Sequence, residues 1–219
     1  MSKKTKLITS ILIFIAVLVI DQIIKVNVKT GMFLGEHINI CGWFQLVFVE
    51  NNGMAFGMEI PGGKLFLTLF RIIAVTAIGW FIYTEIIQHK RPLGYIVCLS
   101  LLMAGAAGNI IDCLFYGLIF NNPPYPQVAE LVPWGMGYGE LFYGRVVDMF
   151  YFPLVDWNMP EWMPFYGGEH CVFFSPIFNF ADASISCSIV ALLLFYPKLI
   201  SEIATERQNC TKETEDNID

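Results

Sequence analysis

Apolar residues in this chain run in long unbroken stretches rather than in stripes. Segments 7–24, 65–87, 93–116 and 181–200 each continue for roughly 20 residues, the length a helix needs to cross about 30 Å of hydrocarbon. They predict four transmembrane helices. Segment 43–49 (WFQLVFV) is rich in β-branched and aromatic residues with partial alternation, and Asn51, Asn52 and Gly53 follow as a turn, so a small β-sheet is predicted there. Pro61, Gly62 and Gly63 break the chain before the second span. Segments 121–143 and 153–176 are crowded with Pro, Gly and aromatic residues and predict loops.

Composition strengthens the picture: 56% of residues are hydrophobic and only 15% charged, where soluble domains carry about a quarter. An even number of spans puts both ends on one side. Lys3, Lys4 and Lys6 precede the first span, His89, Lys90 and Arg91 fill the second link, and Lys198 ends the fourth, which makes those ends cytoplasmic. The connections 26–64 and 117–176 then face outward, and the polar tail 202–219 is expected to be disordered. No small-residue cleavage site follows the first span, so it reads as a retained helix. The expected architecture is an all-α membrane core of four transmembrane helices, with a small extracytoplasmic β-sheet and extended outer loops, in a single domain.

The net charge of −6 lies mostly in the outward loops and the tail and implies no nucleic-acid partner. Six cysteines without a C-x-x-C pair suggest neither zinc nor a redox motif; Cys41 and Cys171 both face the oxidising side, where a disulfide is an open alternative. His170, between Glu169 and Cys171, lacks the H-E-x-x-H spacing of a metal site. Trp43, Trp134, Trp157 and Trp162 fall in outward segments, either at headgroup level or packing a small outer domain.

Ionisable residues in or beside spans carry the chemistry by default. Asp21 and Lys25 stand four apart on one helical face and read as a structural pair. Arg71 and Glu85 lie toward opposite ends of the second span and read as snorkelling side chains. Asp112 sits on the third span, Asp148 in the β-like run GRVVDMFYF, and Asp182 in FNFADAS, where Asn179 is placed to bond the helix start. Each Asp alone has an ordinary reading, Asp182 as a helix cap above all. Together, Asp148 and Asp182 come from separate elements near one membrane boundary and could converge. At about 4 Å and an effective dielectric near 20, two carboxylates repel by roughly 4 kcal/mol, so one of them holds a proton. That is the aspartic-peptidase arrangement. No Ser, Cys or metal pattern competes with it.

The fragments DQIIK (21–25), NNGMAFG (51–57), GAAGNIID (105–112), GRVVDMF (144–150) and FNFADASI (178–185), in that order on four spans, resemble the lipoprotein signal peptidases, or signal peptidase II. The resemblance implies an aspartyl endopeptidase of the bacterial inner membrane. It would cut diacylglyceryl-modified prolipoproteins N-terminal to the lipidated cysteine, need no cofactor or metal, act as a monomer among membrane lipids and be inhibited by globomycin-type cyclic peptides. By motif, Asp148 and Asp182 match the catalytic aspartates; Asn51, Gly105, Asn109, Asn179 and Ala181 match positions that line or orient the site; Asp21, Lys25 and Asp112 match its support. Two departures stand out. Cys113 occupies the place where the family carries Arg after the acid matched by Asp112, and Arg145 is the expected substitute for that lost contact. The stretches 112–148 and 148–182 are also longer than the family's, which suggests an outer cap. A small-solute transporter using Asp and Lys as relay groups, and a noncatalytic membrane scaffold, are the competing classes.

Overall fold

The computed structural model describes residues 2–52, 63–89, 91–158, 160–162, 168, 170–173 and 175–215. Ser2 caps α1 (Lys3–Gly31), its hydroxyl accepting from the Thr5 N–H. The helix runs beyond the predicted limit at residue 24 because Lys25 and Lys29, which look like its polar end, are both buried against acid partners. α2 spans Gly63–Gln88. α3 (Leu93–Ile111) passes through a π-helical turn, Asp112–Tyr116, into the short α4 (Gly117–Ile119), a continuous run of 27 residues. π turns of this kind cluster at functional sites.

These three helices are long and apolar enough to cross a membrane. The fourth predicted span is broken: α5 (Phe180–Phe195) and α6 (Pro197–Glu215) meet at 84°. Pro197 forces this, since it disfavours a helical residue before it and suits the first position of a new helix; Tyr196 leaves the helix at φ −128° and ψ 27°. The tail expected to be disordered is thus helical to Glu215, held by Ile203 in the apolar core and by Glu206 on Arg91.

α3 is the central helix, with 61% of its most apolar window buried against 17% for α1 and 11% for α2. Small residues let its neighbours approach. A Cβ on Gly105 would stand 2.4 Å from the Ala181 carbonyl oxygen, and one on Gly108 would stand 2.7 Å from Asp21 Oδ2. Ile8, Leu12, Phe66, Ile73, Leu193 and Leu194 are exposed around the outside, as helices in lipid require.

At one end of the bundle lies an antiparallel sheet of β1 (His37–Cys41), β2 (Phe44–Asn51), β3 (Val146–Tyr151) and β6 (Ile177–Phe178), in the order β1-β2-β3-β6. A bulge between Leu46 and Val49 buries the consecutive Val47 and Phe48 and sets Val49 opposite Asp148. The segment 153–176, expected to be loop, contains a second two-stranded sheet, β4 (Val155–Asn158) with β5 (His170–Phe173). Cys41 is a free thiol, and the side chains of Glu169, His170 and Cys171 lie outside the described residues.

Two apolar cores result. One gathers Ile82, Ile86, Tyr95, Ile96, Leu99 and Leu192 away from the sheet; the other gathers Val28, Phe48, Tyr116, Phe120, Val147 and Met149 beneath it. Trp43 stacks on Phe152 yet stays 58% exposed, so packing and an exposed ring coexist there. Gly105→Ala is expected to force α3 and α5 apart, at about 1–3 kcal/mol of overpacking. A lower thermal midpoint in detergent, with Ala106→Gly as the control on the same helix, measures it.

Candidate functional site

Between the two cores the interior turns polar. Lys25, fully buried on α1, places Nζ 2.9 Å from Asp21 Oδ2 and 2.7 Å from Asp112 Oδ2, both also fully buried. Its third bond goes to Asn109 Oδ1 at 2.9 Å. Asp21 Oδ1 accepts from the Ala181 N–H at 2.9 Å, tying α1 to the first turn of α5. Asp112 Oδ2 accepts from the Val147 N–H at 3.4 Å, tying α3 to β3. Gln22, which the sequence did not single out, donates to Asp112 Oδ1 (2.8 Å) and accepts from Tyr116 Oη (3.1 Å). Its signal was its place beside Asp21, one helical turn from Lys25.

From this base the two suspected carboxylates are held by asparagines. Asn179 is the N-cap of α5: its Oδ1 accepts from the Asp182 N–H at 2.9 Å, while Asp182 Oδ2 accepts from the Asn179 N–H at 3.4 Å, a full capping box. The Asn179 amide donates to Asp148 Oδ1 at 2.6 Å and to Asn109 Oδ1 at 3.1 Å. Asn109 Nδ2 donates to Asp182 Oδ1 at 2.8 Å. Asn51 Nδ2 approaches Asp148 Oδ2 at 3.3 Å from the neighbouring strand. Asp182 is therefore both a cap residue and a member of the cluster. Asp148, Asp182, Asn51, Asn109, Asn179, Ala181 and Gly105 meet in one place, with Asp21, Lys25 and Asp112 directly beneath.

Asp148 is only 4% exposed. Burial pushes its carboxyl up to about 7, the Asp182 charge beside it acts in the same direction, and the bonds from Asn179 and Asn51 oppose both. Asp148 is thereby set to exchange its proton near neutral pH.

Arg145 is placed elsewhere. Its Nη1 donates to Glu50 Oε2 at 2.8 Å, and its guanidinium lies 4.9 Å from the Tyr138 ring centroid. Glu50 pairs with Val147 in the sheet, while Asp148 pairs with Val49; because side chains alternate along a strand, Arg145 and Glu50 belong to the face opposite Asp148. Lys29 joins this second ion cluster through Glu50 Oε1, with the Phe48, Phe120 and Tyr138 rings about it. Arg71 is half-buried, with Nη1 3.8 Å from Cys113 Sγ, and Glu85 is buried on Arg91 Nε at 2.6 Å. Neither is a freely snorkelling side chain. Among the described residues, no group of three or more His, Cys, Asp or Glu side chains is arranged to hold a metal ion.

Residues 13–197 match the sequence model of the family described as signal peptidase (SPase) II. A lipoprotein signal peptidase of Porphyromonas gingivalis is 50% identical over 189 residues, covering 86% of this chain and 83% of its own length. One from Amoebophilus asiaticus is 36% identical over 181 residues, covering 80% and 72%. A solved bacterial membrane enzyme, determined by the in meso method at 2.3 Å, superposes with a TM-score of 0.59 at 26% identity, covering 89% of this chain and 90% of the other.

Two measurements follow from this geometry. Lys25→Met strands two buried carboxylates and is expected to cost about 3–5 kcal/mol, read as a lower melting midpoint with loss of activity. Because Asp148 binds its proton more tightly folded than unfolded, folding stability declines as pH rises through the interval up to about 7. Asp148→Asn is therefore expected to melt higher than wild type at about pH 8, and the difference to shrink toward about pH 4.

Proposed function

The chain belongs to the signal peptidase II family, a membrane peptidase of lipoprotein signal peptides, and from that premise we propose that Asp148 and Asp182 are its catalytic dyad. The proposed substrate is a prolipoprotein already carrying diacylglycerol, cut N-terminal to the lipidated cysteine. The observation that carries this reading is the continuous amide chain Asn109–Asn179, which bonds Asp182 at one end and Asp148 at the other.

The chemistry follows from the two environments. Asp148, with its carboxyl pushed up to about 7, holds a proton and directs it at the scissile carbonyl oxygen. Asp182, whose oxygens accept from the Asn109 amide and the Asn179 N–H, takes a proton from the attacking water as the water oxygen bonds the carbonyl carbon. The tetrahedral adduct then collapses: the C–N bond breaks, Asp182 passes its proton to the leaving nitrogen, and Asp148 recovers its own from the oxygen. No cofactor enters this scheme. Asn51 and Asn179 keep the Asp148 carboxyl from rotating away.

In the proposed topology α5 forms the fourth span and α6 turns off along the cytoplasmic boundary, both termini are cytoplasmic, and the sheet with the dyad faces outward from the bacterial inner membrane. The basic residues support it: Lys3 bonds the Ile87 carbonyl and Lys6 the Arg91 carbonyl, all at the end of the bundle away from the sheet. A substrate whose lipid remains in the bilayer then meets the dyad at the boundary. Globomycin-type cyclic peptides are expected to compete for the same site, and a monomer holds every group the mechanism uses.

Purified enzyme with a diacylglyceryl prolipoprotein tests the reading. Asp148→Asn and Asp182→Asn are each expected to reduce cleavage by about a thousandfold or more while remaining folded, since Asn keeps the shape and loses the proton exchange. Wild-type cleavage is expected to fall above about pH 7, where the proton leaves Asp148. Substantial cleavage by either variant removes that residue from the mechanism.

A further inference from the structure

On the face of the sheet opposite Asp148, the second ion cluster takes no part in the chemistry above, yet it too is buried. Asp21, Lys25 and Lys29 stand at i, i+4 and i+8 on α1 and share one buried face. Lys29 binds Glu50 Oε1, and Arg145 Nη1 donates to Glu50 Oε2 at 2.8 Å. The Glu50 side chain is only 6% exposed, so one buried carboxylate bridges two cations. Tyr138, whose ring lies under the Arg145 guanidinium, accepts from the Arg145 N–H at 2.7 Å.

The place of Glu50 in the sheet carries this cluster to the dyad. Glu50 precedes Asn51, whose amide approaches Asp148 Oδ2, and it pairs with Val147, which precedes Asp148. Arg145 stands directly before the first residue of β3. The carboxylate thus grips both strands on the Asp148 side of the site and fastens them to α1. The preceding turns of the same helix hold the Asp182 side. Asp21 accepts from the Ala181 N–H, and Lys25 binds the oxygen of Asn109, whose amide donates to Asp182. α1 is therefore a common rod, with the start of α5 hung from residues 21 and 25 and the strands from residue 29.

Stability alone does not call for such a cluster, since well-packed apolar residues commonly replace a buried ion pair without loss. What charged hydrogen bonds add over apolar packing is a fixed direction. Direction matters here, because misplacing reacting groups by about 1 Å can cost about a hundredfold in rate. We propose that Glu50, through Lys29 and Arg145, is a positioning residue that fixes the separation of Asp148 from Asp182. The inference rests on those two aspartates being the catalytic dyad.

The test measures cleavage of a diacylglyceryl prolipoprotein and thermal melting for wild type, Glu50→Gln and Lys29→Met/Glu50→Met, with kinetics taken well below every midpoint. The double variant exchanges the buried pair for apolar side chains of similar length, and the half-buried Arg145 can turn to water. It is expected to melt close to wild type, yet to lose about 10- to 100-fold in kcat with KM changed by less than about twofold. Glu50→Gln leaves two cations without the charge between them and is expected to lose kcat and to melt lower. A cluster that only held the sheet together would lower the midpoint and leave kcat of the folded enzyme at the wild-type value. A kcat for the double variant within about twofold of wild type, or a loss that appears in KM alone, overturns the proposal. If the double variant does not fold, Arg145→Gln is read in its place. With the Lys29–Glu50 pair kept, it is expected to lose kcat by about 3- to 10-fold at unchanged KM, and an unchanged kcat overturns the proposal. Cleavage that survives Asp148→Asn would instead overturn the dyad assignment, whatever Glu50 does.

Discussion

Lys25 is a cation with no water around it, and the site is organised by what that demands. Its ammonium has only donors to offer, so the oxygens of Asp21, Asp112 and Asn109 must all turn toward it. With its oxygen engaged, the Asn109 amide nitrogen points the other way, at Asp182. Asn179 donates to the same Asn109 oxygen and reaches Asp148 with the same nitrogen, while its own oxygen accepts from the Asp182 N–H. The orientation of each amide is thus inherited from the one before it, beginning at a single charge. Removing the lysine would leave two acids unmatched and release every later group in the series.

The same charge explains why helices with so little buried surface stay together. α1 and α2 are mostly sheathed in exposed apolar side chains, and lipid gives such faces no reason to associate. Ionic and amide bonds do: Asp21 joins α1 to α5, Lys25 joins α1 to α3, and Asp112 joins α3 to the sheet. Gly105 and Gly108 allow the backbones near enough for those bonds to close.

Much of this was legible along the chain. The apolar runs marked the helices, and the Asp, Asn and Gly fragments marked the site, because both signals are local. Pairings between distant residues were not. Glu50 drew no notice, yet it binds Lys29 and Arg145; the bulge in β2 and the alternation of β3 decide that Arg145 leaves the face that carries Asp148, and neither can be read from one strand alone. Arg71 looked like a side chain escaping to the interface because its neighbour, Cys113, is 42 residues away. The polar tail lacked an apolar run and was read as disordered, although Ile203 and Glu206 suffice to dock it. The segment 121–143 read as loop and is irregular, but it is not loose. Backbone bonds from Val132 to Ile119, Tyr138 to Phe120, Gly139 to Gly117 and Gly144 to Cys113 strap it along α4 and the π turn. It behaves as a fixed wall, which a composition rich in Pro and Gly does not reveal.

The right-angled corner at Tyr196 and Pro197 has a vertical meaning. α5 has 16 residues from Phe180 to Phe195, a rise of about 24 Å, which is less than the hydrocarbon thickness. Asp182 therefore stands at a set height above the plane in which α6 leaves. Whatever interface α6 rests on becomes the datum from which the depth of the carboxylates is measured, so the corner works as a plumb line: lengthening α5 by a single residue would raise or lower them by about 1.5 Å and rotate them by about 100°.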